Sequence, residues 1–309
     1  MTGQERNLIQ CVAENDLPRA RDCAKYICEN NKVAKDRAFC DYMLAKMQMN
    51  ALTRLPANVE GLLIAENVTE FDTSRILFRE KEKIVADDIV STHRLSDRLK
   101  EKGIAYYPSL LLYGQSGCGK TTLAKYIAHE VGLPYLYVRF SNVVSSYLGS
   151  TQGNVSKIFD FARTTPCVLC LDELDAIGTA RGDSKDVTEM SRAVIALMQE
   201  MDRFPTGSIL IGTTNRPDKL DKALIRRFSS RYEVEPFSNS EIEIVCNMFF
   251  ANVGIEVGDW FADWFRMTFA DTAPASTVVE KCTQKTIQIW KESSKDLTEN
   301  EYDYASDKL

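Results

Sequence analysis

Histidine is scarce in this chain of 309 residues, since only His93 and His129 are present, and this argues against a histidine-based metal site. No apolar run approaches the roughly 18 residues that a membrane-spanning helix needs. The N-terminal residues also lack the charged-then-apolar pattern of a secretory signal peptide. Basic residues are not in excess, because 38 Lys and Arg face 44 Asp and Glu, for a net charge of -6. We therefore expect a cytoplasmic protein without a membrane span, and we do not expect nucleic acid as a partner.

A complete set of zinc-binding cysteines is also missing, although the chain has nine cysteines. Cys167 and Cys170 form a C-x-x-C, but they lie in an apolar run and no second pair completes a zinc site. We predict that both are buried, reduced thiols. The hydrophobic content of 44% is enough for a sizeable core, and the length suggests about two domains.

A glycine-rich stretch, Gly114-Gln115-Ser116-Gly117-Cys118-Gly119-Lys120-Thr121, organises the sequence. It follows an apolar run that predicts a buried strand and precedes a segment with helical spacing, which is the context that a phosphate-binding loop requires. Small residues let backbone N–H groups surround phosphate oxygens, and the helix N-terminus adds partial positive charge. Lys120 would reach the β and γ phosphates, and the Thr121 hydroxyl would ligate Mg²⁺. The alternative interpretation is an ordinary glycine turn.

The candidate nucleotide-binding residues are Gly114, Gln115, Ser116, Gly117, Cys118, Gly119, Lys120, Thr121 and Thr122. The implied ligands are ATP and Mg²⁺.

Strands and helices alternate from Leu110 to Pro236, which predicts an α/β fold with a parallel sheet, of the P-loop NTPase type. After Pro236 the pattern is helical only, which predicts an all-helical lid subdomain. We divide the chain into a helical N-terminal region (1–50), a connector (51–83), an α/β nucleotide-binding domain (84–236), the helical lid (237–295) and a polar, frayed tail (296–309). The N-terminal region is either a small helical layer or a docking module for a partner.

Three helix and strand predictions are specific enough to check. The connector holds two strand-like runs, at 62–64 and 76–78. The charged segment that follows is predicted to be helical from about Ser91 to Lys100, with a solvated face. In the lid, the spacing predicts helices at about 240–252, 258–269 and 276–292.

An acidic motif ends the third predicted strand of the α/β domain. Asp172 fits the role of holding Mg²⁺ through the metal's water shell, and Glu173 fits the group that orients and polarises the attacking water. Asp175 either orients neighbouring residues or contacts another subunit. The alternative is a solvated acidic turn at the end of the strand.

Further polar residues follow the fourth strand. Asn215 is placed to hydrogen-bond the γ-phosphate or the water, although an Asn before Arg-Pro also suits a turn. Arg226 and Arg227 follow a short predicted helix. Adjacent arginines are usually a solvated pair, but phosphoryl transfer gains about 10³- to 10⁵-fold in rate from an arginine at the transition state.

Together these segments resemble the Walker A motif, the Walker B motif and the second region of homology of AAA ATPases, within the AAA+ superfamily. The segments are 114–121, 171–178 and 212–228, and the resemblance covers about 84–293. By this resemblance, Asn215 is the sensor-1 residue, and Arg226 and Arg227 are arginine fingers that act on ATP held by the adjacent subunit. The arginine pair is most similar to that of the katanin and spastin branch. A homo-oligomeric ring, usually a hexamer, is implied.

The same resemblance suggests a substrate-gripping pore loop at Ser145 to Gly149. Tyr147 would hold an extended polypeptide in the central channel and Leu148 would support it, while the segment 179–186 would form a second pore loop. The alternative for Tyr147 is an ordinary loop aromatic folded onto the core.

Two features depart from the family pattern. The family's Ser-Gly-Ala-Asp signature is replaced by Pro274-Ala275-Ser276-Thr277, and the usual entry to the ATP domain is replaced by Asp88-Ile89-Val90.

These observations predict an ATP-hydrolysing machine that remodels, unfolds or threads a protein substrate, with an adaptor or partner protease docking through the N-terminal region. The alternative is a nucleotide-dependent scaffold or switch that acts on DNA-bound partners.

Overall fold

A computed structural model of the chain describes residues 3–13, 17–31, 36–37, 39–40, 43, 55–68, 71–140, 143, 151–177 and 184–306. The chain divides into two compact units. The first comprises residues 1–71, 81–112 and 121–232, and the second comprises residues 72–80, 113–120 and 233–309.

The N-terminal part of the first unit begins with two helices, α1 (Gly3–Ala13) and α2 (Leu17–Glu29). The two helices pack against each other, and the side chains of Cys11 and Ala20 are buried. Both helices lie in the N-terminal region that was predicted to be helical.

A six-stranded sheet forms the core of the α/β domain, in the spatial order β1-β3-β4-β5-β2-β6. Its strands are β1 (Ile64–Glu66), β2 (Ser109–Tyr113), β3 (Tyr135–Arg139), β4 (Val168–Asp172), β5 (Ile209–Thr214) and β6 (Ser230–Glu233). Strand β4 is parallel to both β3 and β5, and β1 is antiparallel to β3. The predicted α/β class is therefore confirmed, although the antiparallel direction of the edge strand β1 was not predicted.

Helices connect and cover these strands. They are α3 (Glu80–Glu101), α4 (Lys120–Val131), α5 (Thr151–Thr164), α6 (Ser184–Met201) and the short α7 (Lys222–Arg226). The apolar core of this unit contains β4 residues such as Leu169 and Leu171 together with Phe159, Leu197 and Phe228. Because β4 is buried along its length, its sequence is continuously apolar until it reaches Asp172.

Three predictions in the connector and the charged segment differ from the structure. The run at 76–78 is not a strand, and the strand predicted at 62–64 lies two residues later, at β1. Helix α3 begins at Glu80, about three helical turns before the predicted start at Ser91. Lys and Glu are good helix formers, and buried side chains at Glu82, Ala86 and Ile89 give the early turns an inward face.

The second unit is built mainly from three helices, α8 (Asn239–Asn252), α9 (Trp260–Thr268) and α10 (Ala275–Ser306). Strand β7 (Phe237–Ser238) precedes α8, and strand β8 (Thr272–Ala273) lies between α9 and α10. The two strands form an antiparallel pair. Aromatic rings fill the core, where Phe250 is fully buried with Trp260, Phe261 and Trp264 packed around it. Helix α10 was predicted to end near residue 292 and the tail to fray, but the helix continues to Ser306.

The cysteines are free thiols, as predicted for Cys167 and Cys170. Burial raises the pKa of each of these two thiols to about 12. In the second unit, the sulfur atoms of Cys246 and Cys282 lie 3.4 Å apart between α8 and α10.

Over the part of the chain that is described, none of the helices has the length and apolar character to span a bilayer.

Candidate nucleotide and catalytic site

The glycine-rich loop runs from the end of β2 to the start of α4, as the sequence predicted. Gly114, Gly117 and Gly119 have φ angles of 136°, 80° and 107°, in a region that other residues rarely adopt. The loop therefore depends on glycine for its backbone shape.

Close approach of backbone also requires glycine at two of these positions. A Cβ atom on Gly114 would lie 2.3 Å from the Val234 carbonyl oxygen, and one on Gly117 would lie 2.0 Å from Ser276 Oγ. The Ser276 N–H donates to the Gly117 carbonyl at 3.0 Å. The loop is therefore fixed to the beginning of α10.

Lys120 is the first residue of α4, and its side chain is buried. Its Nζ donates to the carbonyl oxygens of Gly114 and Gln115, both at 2.9 Å, so the ammonium group lies inside the curve of the loop. Thr121 and Thr122 occupy the next two positions of the helix, both partly buried.

Cys118 lies in the same loop and is buried. Burial raises the pKa of its thiol, although the nearby Lys120 and Arg79 charges oppose this. The thiol is therefore protonated at neutral pH and contributes bulk rather than charge to the loop.

Asp172 ends β4 in the first unit, between hydroxyl groups on both flanking strands. The Tyr137 hydroxyl on β3 donates to Asp172 Oδ2 at 2.6 Å, and the Thr213 hydroxyl on β5 donates to Oδ1. Burial, together with the hydrogen bond to Asp172, raises the pKa of Tyr137 to about 12, so Tyr137 remains a hydrogen-bond donor.

Glu173 follows directly and is the one residue other than glycine with positive φ among those described, at 57°. Such a conformation costs about 1 to 2 kcal/mol and is typical of functional sites. Its carboxylate is about half-exposed and lies 4.0 Å from Arg139 Nε. Glu173 is thus directed away from the buried strand, next to a cation.

Asp175 lies in the short 3₁₀ helix Leu174–Ile177, and it contacts the end of β5. Its Oδ1 accepts hydrogen bonds from the Thr214 hydroxyl at 2.9 Å and from the Asn215 backbone N–H at 3.2 Å. Asn215 itself is exposed. The interpretation of Asp175 as a residue that orients its neighbours therefore has a direct contact to support it.

The two arginines at the end of α7 differ in their surroundings. Arg227 forms a two-point ion pair with Asp202, with N–O distances of 2.9 and 3.0 Å, and also donates to the Ala223 carbonyl. Arg226 is exposed, and no hydrogen bond or ion pair of its side chain is present within the described part of the chain. The structure therefore distinguishes two residues that the sequence treated as equivalent.

Tyr147 and Leu148, and with them the whole of 145–149, lie outside the described residues. So do residues 178–183, which include most of the second proposed pore loop. Sequence reasoning did not select Tyr137, Thr213, Arg139 or Asp202. For the first three a signal existed, because they lie on strands that flank β4 and near its acidic end.

The residues present fit a nucleoside triphosphate with Mg²⁺. The loop has the glycine-dependent curve and the lysine that phosphate requires, and a threonine hydroxyl and one aspartate are oxygen donors of the kind that Mg²⁺ uses beside phosphate and water. Across the described ranges, no group of three or more His, Cys, Asp or Glu could hold a metal ion by itself.

Comparison with known proteins gives a consistent result. Residues 110–236 match the ATPase family associated with various cellular activities (AAA). The chain is 36% identical over 216 residues to the proteasome-activating nucleotidase of Pyrococcus furiosus, covering 65% of this chain and 54% of that protein. It is 33% identical over 199 residues to the ATP-dependent zinc metalloprotease FtsH 2 of Symbiobacterium thermophilum, covering 62% and 34%.

An uncharacterized AAA family ATPase of Sinorhizobium fredii is 40% identical over 140 residues, which is 45% of this chain and 42% of that protein. The chain thus spans about half or less of the length of these curated relatives.

Proposed function

We propose that this chain, whose residues 110–236 form an AAA ATPase domain, couples Mg²⁺-dependent ATP hydrolysis to the remodelling, unfolding or threading of a protein substrate. The observation that carries the proposal is the loop from Gly114 to Lys120, with its three glycines at positive φ and its buried lysine. A loop of this shape presents backbone N–H groups to phosphate oxygens.

Each candidate residue has a role in this proposal. Lys120 binds the β and γ phosphates, and Thr121 and Asp172 hold the metal. When bound, Mg²⁺ supplies positive charge that offsets the negative charge of the phosphates. Glu173 orients and polarises the attacking water, and Asn215 hydrogen-bonds the water or the γ-phosphate.

Arg226 and Arg227 complete the site from an adjacent subunit in this proposal. It therefore includes a homo-oligomeric ring, with six subunits as the expected number. The arginine pair is also our reason for proposing a position near the katanin and spastin branch of the family.

The choice of a protein substrate rests on two arguments. One relative is named for activating the proteasome and another is named as a metalloprotease, so both names refer to the handling of proteins. The aromatic-aliphatic-Gly sequence at Tyr147 and Leu148 suits a sequence-tolerant grip on an extended chain. We place the protein in the cytoplasm, with the N-terminal region as the docking site for an adaptor or partner protease.

A substrate-trapping experiment tests the proposal. The Glu173→Gln variant should bind ATP and assemble without turnover, and in ATP but not in ADP it should retain a fluorescently labelled, permanently unfolded polypeptide during size-exclusion chromatography. The double variant Glu173→Gln/Tyr147→Ala is the control, and it should assemble without retaining the polypeptide.

Several outcomes would contradict the proposal. Normal ATP turnover by Glu173→Gln would remove the assigned role of this residue. Equal retention by both variants would remove the pore-loop role of Tyr147. DNA binding that depends on salt and stimulates the ATPase would favour the scaffold alternative instead.

A further inference from the structure

The carboxylate of Asp172 is held from both sides by neutral donors. Its Oδ2 accepts from the Tyr137 hydroxyl at 2.6 Å, and its Oδ1 accepts from the Thr213 hydroxyl. Both donors are anchored, because Thr213 is completely buried and the Tyr137 side chain is nearly so. These two hydrogen bonds therefore restrain the rotamer of Asp172.

The sheet register produces this arrangement. Residue 137 of β3 lies opposite Cys170 of β4, so a long tyrosine side chain can reach two residues forward to Asp172. On the other side Gly212 of β5 lies opposite Leu171, which places Thr213 next to Asp172. A hydroxyl group from each flanking strand thus meets the one acidic residue at the end of the central strand.

The chemical type of the two donors is informative. A carboxylate has about four lone-pair sites, and two hydroxyl groups use two of them, which leaves an acceptor site on each oxygen for other partners. The two hydroxyl groups fix the carboxylate without themselves adding positive charge. Arg139, which lies opposite Asp172 in the sheet register, interacts electrostatically with both carboxylates, and its Nε lies 4.0 Å from the Glu173 carboxylate.

We propose that Tyr137 and Thr213 are positioning residues that hold Asp172 in the orientation required for a hydrated magnesium ion. The proposal rests on the ATPase function proposed above and extends it to the way in which this chain couples metal to nucleotide. Tyr137 and Thr213 act through Asp172 and contact neither metal nor nucleotide. Their removal should therefore alter the metal dependence of nucleotide binding more than nucleotide binding itself.

The test measures the affinity for a fluorescent, non-hydrolysable ATP analogue by anisotropy, once with Mg²⁺ and once with EDTA. The dissociation constant in EDTA divided by the dissociation constant with Mg²⁺ measures how strongly the metal increases nucleotide affinity. In Tyr137→Phe the ratio should fall about tenfold because a hydrogen bond to a charged group is lost, while the affinity in EDTA stays as in the original protein. Thr213→Val should lower the ratio in the same way.

Tyr135→Phe is the matched control. Tyr135 lies on the same strand and the same face, is completely buried, and its hydroxyl lies beside the Cys170 thiol. This variant should keep the original ratio. Thermal unfolding of all variants, compared with the original protein, establishes that each is folded at the temperature of the measurement.

The outcomes separate this inference from the function on which it rests. An original protein whose nucleotide affinity does not respond to Mg²⁺ would overturn both. A strong response that Tyr137→Phe and Thr213→Val leave unchanged would overturn the positioning role alone. An equal loss of the ratio in Tyr135→Phe would also overturn it, because the effect would then come from general loosening of β3.

Discussion

At the scale of single residues, Glu173 combines a strained backbone with the proposed role of orienting the attacking water. Its φ of 57° is unfavourable for any residue with a Cβ atom, and the chain retains it directly after the buried strand that ends at Asp172. The neighbouring Asp172 and Asp175 are held by hydrogen bonds from two strands, β3 and β5, or from the residue that follows β5, which restrains the position of Glu173. The strain therefore marks a carboxylate whose direction matters more than the local stability.

This strain predicts an unusual order of stability for two substitutions. Glycine adopts positive φ readily, so Glu173→Gly should be about 1 kcal/mol more stable than Glu173→Ala, whereas in ordinary strand or helix positions alanine is the more stable. Urea unfolding of both variants measures the difference. Both should lack ATP turnover, since both lack the carboxylate.

An alanine variant that is as stable as the glycine variant would show that residue 173 is not held at positive φ in solution. The matched control is the same pair of substitutions at Asp202, an exposed residue at the end of α6 whose φ is not positive.

At the scale of elements, the beginning of α8 is held by several charged and polar contacts. Ser238 and Glu241 form a capping box, in which the Glu241 side chain accepts from the Ser238 backbone N–H at 2.8 Å. Arg79, from a distant part of the sequence but in the same unit, adds an ion pair to Glu241 at 2.6 Å. These contacts, led by the hydrogen bond from Arg79, lower the pKa of Glu241 to about 2.

The lowered pKa predicts a pH-dependent contribution to stability. A carboxyl group whose pKa is lower in the folded state than its ordinary value of 4.5 stabilises the fold fully above about pH 4.5, and this contribution is lost as the pH falls toward 2. Glu241→Gln should therefore be about 1 to 2 kcal/mol less stable than the original protein at pH 7. The difference should shrink as the pH is lowered from 5 to 3.

Thermal unfolding of both proteins across this pH range checks the prediction. A second comparison uses Arg79→Met. In a protein that carries this substitution, Glu241→Gln should lower the stability at pH 7 by less than it does in the original protein. If the stability difference between the two proteins stays constant from pH 7 to pH 3, the charge of Glu241 does not contribute to the stability of the fold.

The sequence predicted those elements that depend on local patterns and missed those that depend on distant partners. The glycine loop, the acidic end of β4 and the helical character of residues 239–292 follow from spacing and residue type within short windows. Contacts such as Arg79–Glu241 and Tyr137–Asp172 join residues that are 162 and 35 positions apart, and no periodicity reports such pairs. The early start of α3 was missed because its inward face includes Glu82, a residue expected on the surface.

At the scale of the whole molecule, the two arginines at the end of α7 concern whether ATP hydrolysis requires a neighbouring subunit. Arg227 is engaged within its own subunit by Asp202, while Arg226 is exposed at the end of the helix. An arginine finger that acts on a neighbouring subunit must be available at the surface. Arg226 is therefore the better candidate for that role, and Arg227 braces α7 against the end of α6.

Subunit mixing tests this assignment. Lys120→Ala should not bind nucleotide, and Arg226→Ala should bind nucleotide without turnover, so that each variant is inactive alone. If the finger acts between subunits, a mixture of the two variants should regain activity, because a nucleotide bound to an Arg226→Ala subunit can meet the intact Arg226 of a Lys120→Ala neighbour. Random mixing in equal amounts should restore about a quarter of the interfaces of a closed ring.

Each single variant contributes either an intact nucleotide site or an intact finger to an interface. A mixture of Arg226→Ala with the double variant Lys120→Ala/Arg226→Ala should stay inactive, because no subunit then supplies the finger. Arg227→Ala should lower the unfolding free energy by about 1 kcal/mol, since its partly exposed ion pair with Asp202 is broken. No recovery in the first mixture, with both variants still able to assemble, would place Arg226 outside the neighbouring site and would remove the main reason to expect hydrolysis between subunits.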